Sequence, residues 1–94
     1  MIKLTEAQRQ TALALAVLSR SIPQKRFFTV EEIRDLRLRD IGKEEKNQTY
    51  LRTTRNALNQ LKGIVPTLAT NNTIGWSLTA VGRVMAHSQL GIEV

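Results

Sequence analysis

Ninety-four residues, 41% of them apolar and 23% charged, can form one modest hydrophobic core but not two, and this balance argues against a disordered chain. The absence of cysteine excludes disulfides and thiolate metal centres and fits a reducing compartment. A net charge of +6 points to an anionic partner, and the longest apolar run, ALALAVL at 12–18, is too short to span a bilayer, so no membrane role is expected.

The segment LTEAQRQTALALAVLSRSI predicts the first helix. Thr5 followed by Gln8 has the spacing of a capping box. Ala12, Leu13, Ala16, Val17 and Arg20 share one side, Leu15, Leu18 and Ile22 widen the apolar surface, and Pro23 ends the helix. A secretory leader is the competing reading of this segment, and Glu6 and Arg9 upstream of the apolar run argue against it. KRFF predicts a short extended stretch with one of Phe27 and Phe28 in the core. TVEEIRDL predicts a second helix, with a capping box from Thr29 to Glu32, Glu31 and Glu32 at the positive end, and Val30, Ile33 and Leu36 facing inward.

RLRDIGKEEKN is polar, contains Gly42 and predicts the turn to a third helix, with Asn47 as its N-cap and Gly63 at its end. Beyond Gly63 the apolar period changes. IVPTLAT and TIGWSLT predict two strands joined by a two-residue turn at Asn71-Asn72, with Ile74, Trp76 and Leu78 on the buried face and Pro66 marking an edge strand. Thr79 is the expected cap of a last short helix, AVGRVMAHSQL.

The third helix, NQTYLRTTRNALNQLKG, poses a question of its own. Thr49, Thr53, Thr54, Asn56 and Asn59 are mediocre helix formers, together giving up roughly 3 kcal/mol against an alanine-rich surface. At 100° per residue, Leu51, Thr54, Leu58 and Leu61 fall within a sector of about 80°, with Tyr50 and Ala57 beside it. The opposite side carries Thr49, Arg52, Thr53, Asn56, Asn59 and Gln60. Arginine pairs with guanine, asparagine and glutamine with adenine, and threonine offers a hydroxyl and a methyl group, so this face has the chemistry to read base edges. Residues 46–92 also hold Lys46, Arg52, Arg55, Lys62 and Arg83 without a single carboxylate, whereas residues 1–45 hold nine basic and seven acidic residues. A surface free of carboxylates does not repel a polyanion.

The order helix, short strand, helix, helix, hairpin, helix resembles the winged helix-turn-helix superfamily of DNA-binding domains. FTVEEIRDL, ALNQLKGIV and GWSLTAVGRVMA carry the likeness, which spans roughly residues 5–86. The resemblance implies a mainly α fold with a small β-hairpin wing (α+β), a three-helix core plus a short C-terminal helix, and one domain over 1–94. It also implies that the third helix, about 47–62, enters the major groove, its N-terminal turns reading bases. Gln48, Thr49, Arg52, Thr53 and Asn56 are then the base-reading candidates. Lys46 and Arg55 flank them as phosphate contacts, with Lys25, Arg26 and Arg83 as further backbone contacts. Two features depart from the pattern: the connection from about 38 to 46 is long, and the wing tip, with Asn71 and Asn72 at its centre, carries no basic residue.

The expected function is sequence-specific binding of double-stranded DNA by a small transcriptional regulator in the cytoplasm, at the nucleoid when bound. The domain nearly fills the chain, which leaves control to oligomerisation or partners. A homodimer is the candidate assembly, through Leu15 and Leu18 or the tail SQLGIEV. The alternative is a winged-helix adaptor whose basic face binds an acidic protein in a larger assembly, and a solvated polar face is the plainest reading of the third helix. RNA binding ranks lower because only four aromatic residues are present, and Tyr50 and Trp76 suit packing better than base stacking. His87 is the only histidine, and Glu31/Glu32 and Glu44/Glu45 suit caps and turns better than acid–base chemistry. There is no phosphate loop, catalytic triad or zinc spacing. No enzyme activity, cofactor, metal or small-molecule ligand is therefore expected.

Overall fold

A computed structural model describes residues 3–40 and 48–91, which form four helices and one two-stranded antiparallel sheet in an α+β arrangement. Asn47, Lys46 and the connection at 41–47 lie outside the described residues, as does the tail at 92–94.

Helix α1 (Glu6–Ser21) opens with the expected capping box. The Thr5 hydroxyl accepts from the Gln8 N–H at 3.2 Å, and the Thr5 N–H donates to Gln8 Oε1 at 3.1 Å. The helix stops before Pro23, with the Ile22 N–H still donating to the Leu18 carbonyl. Its buried side differs from the expected one. Leu15 is fully buried together with Thr11, Ala12, Ala14 and Ala16, whereas Leu13 is half-buried and Arg20 exposed. The reason is that α1 packs against both other long helices, the last helix and the second strand, so more than one side is covered. The alanines let these neighbours approach closely, and Leu15 fills the space among them. Its burial removes it as a subunit contact.

Helix α2 (Val30–Asp40) starts at the second capping box, in which Thr29 and Glu32 exchange bonds of 3.0 and 3.2 Å. Ile33 and Leu36 are buried and Val30 packs against the core, as their spacing predicts. RLRD, however, is helical and not turn, and this last stretch buries Arg37 and Leu38. Polar composition misled here because the arginine points inward.

Helix α3 (Gln48–Gly63) buries Thr54, Ala57, Leu58 and Leu61, with Tyr50 and Leu51 half-covered. Gly63 ends it without a left-handed conformation, which among the described residues only Gly91 adopts.

Strands β1 (Ala69–Asn71) and β2 (Trp76–Leu78) pair with Ala69 opposite Leu78 and Asn71 opposite Trp76. The turn is not the two-residue Asn71-Asn72. Asn71 belongs to β1, and residues 72–75 form a four-residue loop closed by a 2.9 Å bond from the Asn72 N–H to the Gly75 carbonyl. Neither asparagine has positive φ. The expected alternation also fails: Ile74 sits in the loop, 66% exposed, while Trp76, Ser77 and Leu78 are all buried. Both faces of β2 are covered, so alternation has nothing to select. Pro66 precedes β1 and lies outside the sheet, after a cis peptide from Val65.

The KRFF stretch contributes one bridge. Phe28 and Trp76 exchange two backbone bonds of 2.8 Å, Phe28 is fully buried, and Phe27 is half-buried. This bridge needs Gly75, where a Cβ would lie 2.3 Å from the Phe28 carbonyl oxygen. Helix α4 (Ala80–Leu90) starts from Thr79, whose hydroxyl accepts from the Gly82 N–H at 3.0 Å and donates to the Thr67 carbonyl at 2.6 Å. A Cβ on Gly82 would lie 2.1 Å from the Leu68 carbonyl oxygen. The sequence L-T-A-V-G thus has a physical reading: a buried leucine, a cap, and a glycine that admits the Leu68 backbone just before β1.

Candidate nucleic-acid interface

The outward face of α3 is continuous. Thr49, Arg52, Arg55, Asn56, Asn59, Gln60 and Lys62 are all exposed, and α3 contains no carboxylate. At 100° per residue, Arg52 falls at the centre of this arc. Its two edges are fixed by neighbours. On one side Gln8 of α1 donates to Gln60 Oε1 at 2.9 Å, and on the other Lys62 Nζ donates to Asn71 Oδ1 at 2.8 Å. This exposed face therefore lies between the N-terminus of α1 and the start of the hairpin. A groove of about 300 Å³ along the first edge is lined by Thr5, Ala7, Thr53, Asn56, Ala57 and Gln60.

The base-reading candidates do not all fall in one class. Thr49, Arg52 and Asn56 are exposed on the face. Gln48 is the first residue of α3, and its side chain lies outside the described part of the structure. Thr53 is half-buried, and its hydroxyl is occupied: it accepts from Arg37 Nη1 at 2.9 Å and donates to the Tyr50 carbonyl at 3.2 Å. Thr53 borders the groove, but its hydroxyl serves the fold.

Arg37 is the residue that periodicity did not reveal. It is buried, donates from Nε to Gln10 Oε1 at 2.9 Å, and from Nη1 to the hydroxyls of Thr53 and Thr54. Its guanidinium carbon also lies 5.4 Å from the centre of the Tyr50 ring. Burial pushes its pKa below the ordinary arginine value, and the nearby Tyr50 and Glu6 act in the opposite direction. Arginine remains charged under such shifts. Among the described residues no carboxylate lies within ion-pair distance of it, so neutral acceptors from α1 and α3 hold a positive charge behind the first half of α3. Thr54, the misfit on the buried side, is thereby explained as an acceptor.

The phosphate candidates separate into two places. Arg55 is exposed on α3, and Lys46 lies outside the described residues. Lys25, Arg26 and Arg83 instead gather with Ser19 and Pro23 around a pocket of about 350 Å³. Lys25 is committed there to Glu32, at 2.8 and 2.9 Å, and lies 5.3 Å from the centre of the Phe28 ring. This Lys25 bond, followed by the Thr29 N–H, holds the Glu32 carboxyl below its usual range. At the hairpin, the Asn71 side-chain oxygen is taken by Lys62. That of Asn72 accepts from the Ile74 and Gly75 N–H groups at 2.8 and 3.1 Å, which orders the loop. Lys62 is a further exposed basic residue of this face, beside Arg55 on the helix wheel, to which periodicity alone assigns no role.

Trp76 is buried and Tyr50 half-buried against Arg37, so both pack rather than present open rings. His87 is exposed, and no cluster of three or more His, Cys, Asp or Glu side chains suited to a metal occurs among the described residues. Among those residues no helix is long and apolar enough to cross a membrane. Comparison of the chain with protein-family models, curated proteins and solved structures gives no match.

Proposed function

We propose that this chain is a winged helix-turn-helix protein that binds double-stranded DNA sequence-specifically, as a small transcriptional regulator, with α3 in the major groove. The observation that carries the reading is the exposed arc of Thr49, Arg52, Asn56 and Asn59, flanked by Arg55 and Lys62 and free of carboxylates. A major groove accommodates one helix, and these side chains supply the donors and acceptors that base edges distinguish. The element order and the Phe28–Trp76 bridge support the fold half of the proposal, because they seat a strand residue before α2 beside the second strand of the hairpin.

Arg52, Asn56 and Thr49 read bases, Arg55 and Lys62 contact phosphates, and the hairpin loop lies beside the duplex. Selection of bound sites from a random duplex library tests this directly. An enriched motif is expected, and two half-sites about one helical turn apart would indicate a dimer. No retention of duplex at about 50 mM salt would end the proposal. The alternative, an adaptor whose basic face binds an acidic protein, has in its favour only a sign of protein contact at another surface: Val81 and Val84, spaced three apart on α4, are 43% and 68% exposed. The same two valines replace Leu15 as the candidate contact of a homodimer.

A further inference from the structure

The pocket of about 350 Å³ between the end of α1 and α4 brings three basic side chains together. Arg26 precedes the Phe28 bridge and Arg83 lies in the first turns of α4, far apart in sequence, yet both line it with Ser19, Pro23 and Lys25. Lys25 is matched by Glu32, but among the described residues neither Arg26 nor Arg83 has a carboxylate in ion-pair range. Both are exposed. Arg83 is moreover at the wrong end of its helix: the first turn of α4 has no acidic residue, and a cation is disfavoured near a helix N-terminus. Two guanidiniums with no carboxylate partner among the described residues thus line one concavity, and a guanidinium fork suits the oxygens of phosphate.

The position separates this pocket from the α3 face. Thr5, at one end of α1, lines the groove beside Asn56 and Gln60, whereas Ser19, near the other end, lines the basic pocket. Fourteen residues of helix put about 21 Å between them. The longest extent of the molecule is only 32 Å. We infer that Arg26 and Arg83, with Lys25 at the rim, form a second anion site that binds a phosphate group, either of a nucleic-acid backbone or of a small phosphorylated ligand. This site stands without α3 reading DNA.

The test is an NMR titration of the isotope-labelled protein with sodium pyrophosphate, against sodium chloride at matched ionic strength, following the arginine Nε–Hε signals. It is paired with the salt dependence of binding to a random-sequence duplex, for wild type and for Arg26→Gln and Arg83→Gln. Pyrophosphate is expected to move the Arg26 and Arg83 signals saturably while Arg52 and Arg55 stay in place, and each substitution is expected to weaken the response roughly fivefold or more. A log–log salt slope reduced by about 1 in the variants assigns the site to the nucleic-acid backbone, and an unchanged slope assigns it to a small phosphorylated ligand. Shifts spread evenly over all exposed arginines, or no saturable shift by about 10 mM, overturn the site. A wild-type protein that binds pyrophosphate in this pocket but no duplex overturns the DNA reading and leaves the phosphate site standing.

Discussion

The Arg37 guanidinium donates to the Thr54 hydroxyl at 3.1 Å inside the contact between α2 and α3, and the same nitrogen reaches Thr53 at 2.9 Å. Two adjacent threonines on α3 thus accept from one arginine on α2, while Gln10 of α1 receives its Nε–H. One buried side chain ties three helices together and sets how α3 is presented. Thr54→Val keeps the shape and removes an acceptor, leaving a buried donor with one partner fewer. The expected cost is about 1–3 kcal/mol, seen as a lower urea midpoint with an unchanged m-value, and Thr54→Ser should retain most of the stability. Equal midpoints for Thr54→Val and wild type would reduce Thr54 to a packing residue.

The proposed division of labour on α3 predicts two different phenotypes. Arg52→Ala is expected to weaken binding to the selected site by about 1–3 kcal/mol and relax preference at one base pair. Arg55→Ala should weaken all sequences alike and lower the salt slope by about 1. Quantitative binding to matched and single-mismatch duplexes distinguishes them. Indistinguishable profiles for the two variants would remove the distinction drawn between the centre and the flank of the face.

The glycines differ sharply in what surrounds them. Gly75→Ala and Gly82→Ala place a methyl group 2.3 and 2.1 Å from the carbonyl oxygens of Phe28 and Leu68, where backbone must move. Each is expected to cost at least about 1–3 kcal/mol in denaturant unfolding. Gly63→Ala meets nothing within 4 Å and needs no left-handed backbone. It should be neutral or stabilise the protein by up to about 1 kcal/mol. A Gly75→Ala protein as stable as Gly63→Ala would contradict the close Phe28–Gly75 approach.

Acid should weaken the fold through Glu32. Lys25 and the Thr29 N–H hold its carboxyl below the usual range, so folding favours the ionised form. That contribution is complete above the unfolded value of about 4.3 and disappears as pH falls through the lower folded value. With the pair partly exposed, added salt should reduce the effect. Glu32→Gln is therefore expected to lower stability at pH 7 and to flatten its decline below about pH 4. Thermal melts across that range check the prediction, and parallel curves for variant and wild type would exclude Glu32 as a source of the decline.

Features governed by neighbours along the chain were legible before any fold was known. Thr5 with Gln8, Thr29 with Glu32, and Thr79 all cap helices where their spacing says they should, because a cap needs only the next three residues. The buried stripe of α3 was legible for the same reason, since Leu58 and Leu61 fall on one side of a regular helix whatever surrounds it.

Features set by what lies across the core were not. Arg37 reads as surface until Gln10, Thr53 and Thr54 converge on it, and Thr53 reads as a base contact until its hydroxyl is claimed. Ser77 is buried because both sides of its strand are covered, and Arg26 shares a pocket with Arg83 only through the packing of α4 on α1. Local hydrogen bonding and helical periodicity act over a few residues, so they survive in the linear order. The identity of a side chain's distant partner does not, because it arises only when separate elements meet and desolvate one another.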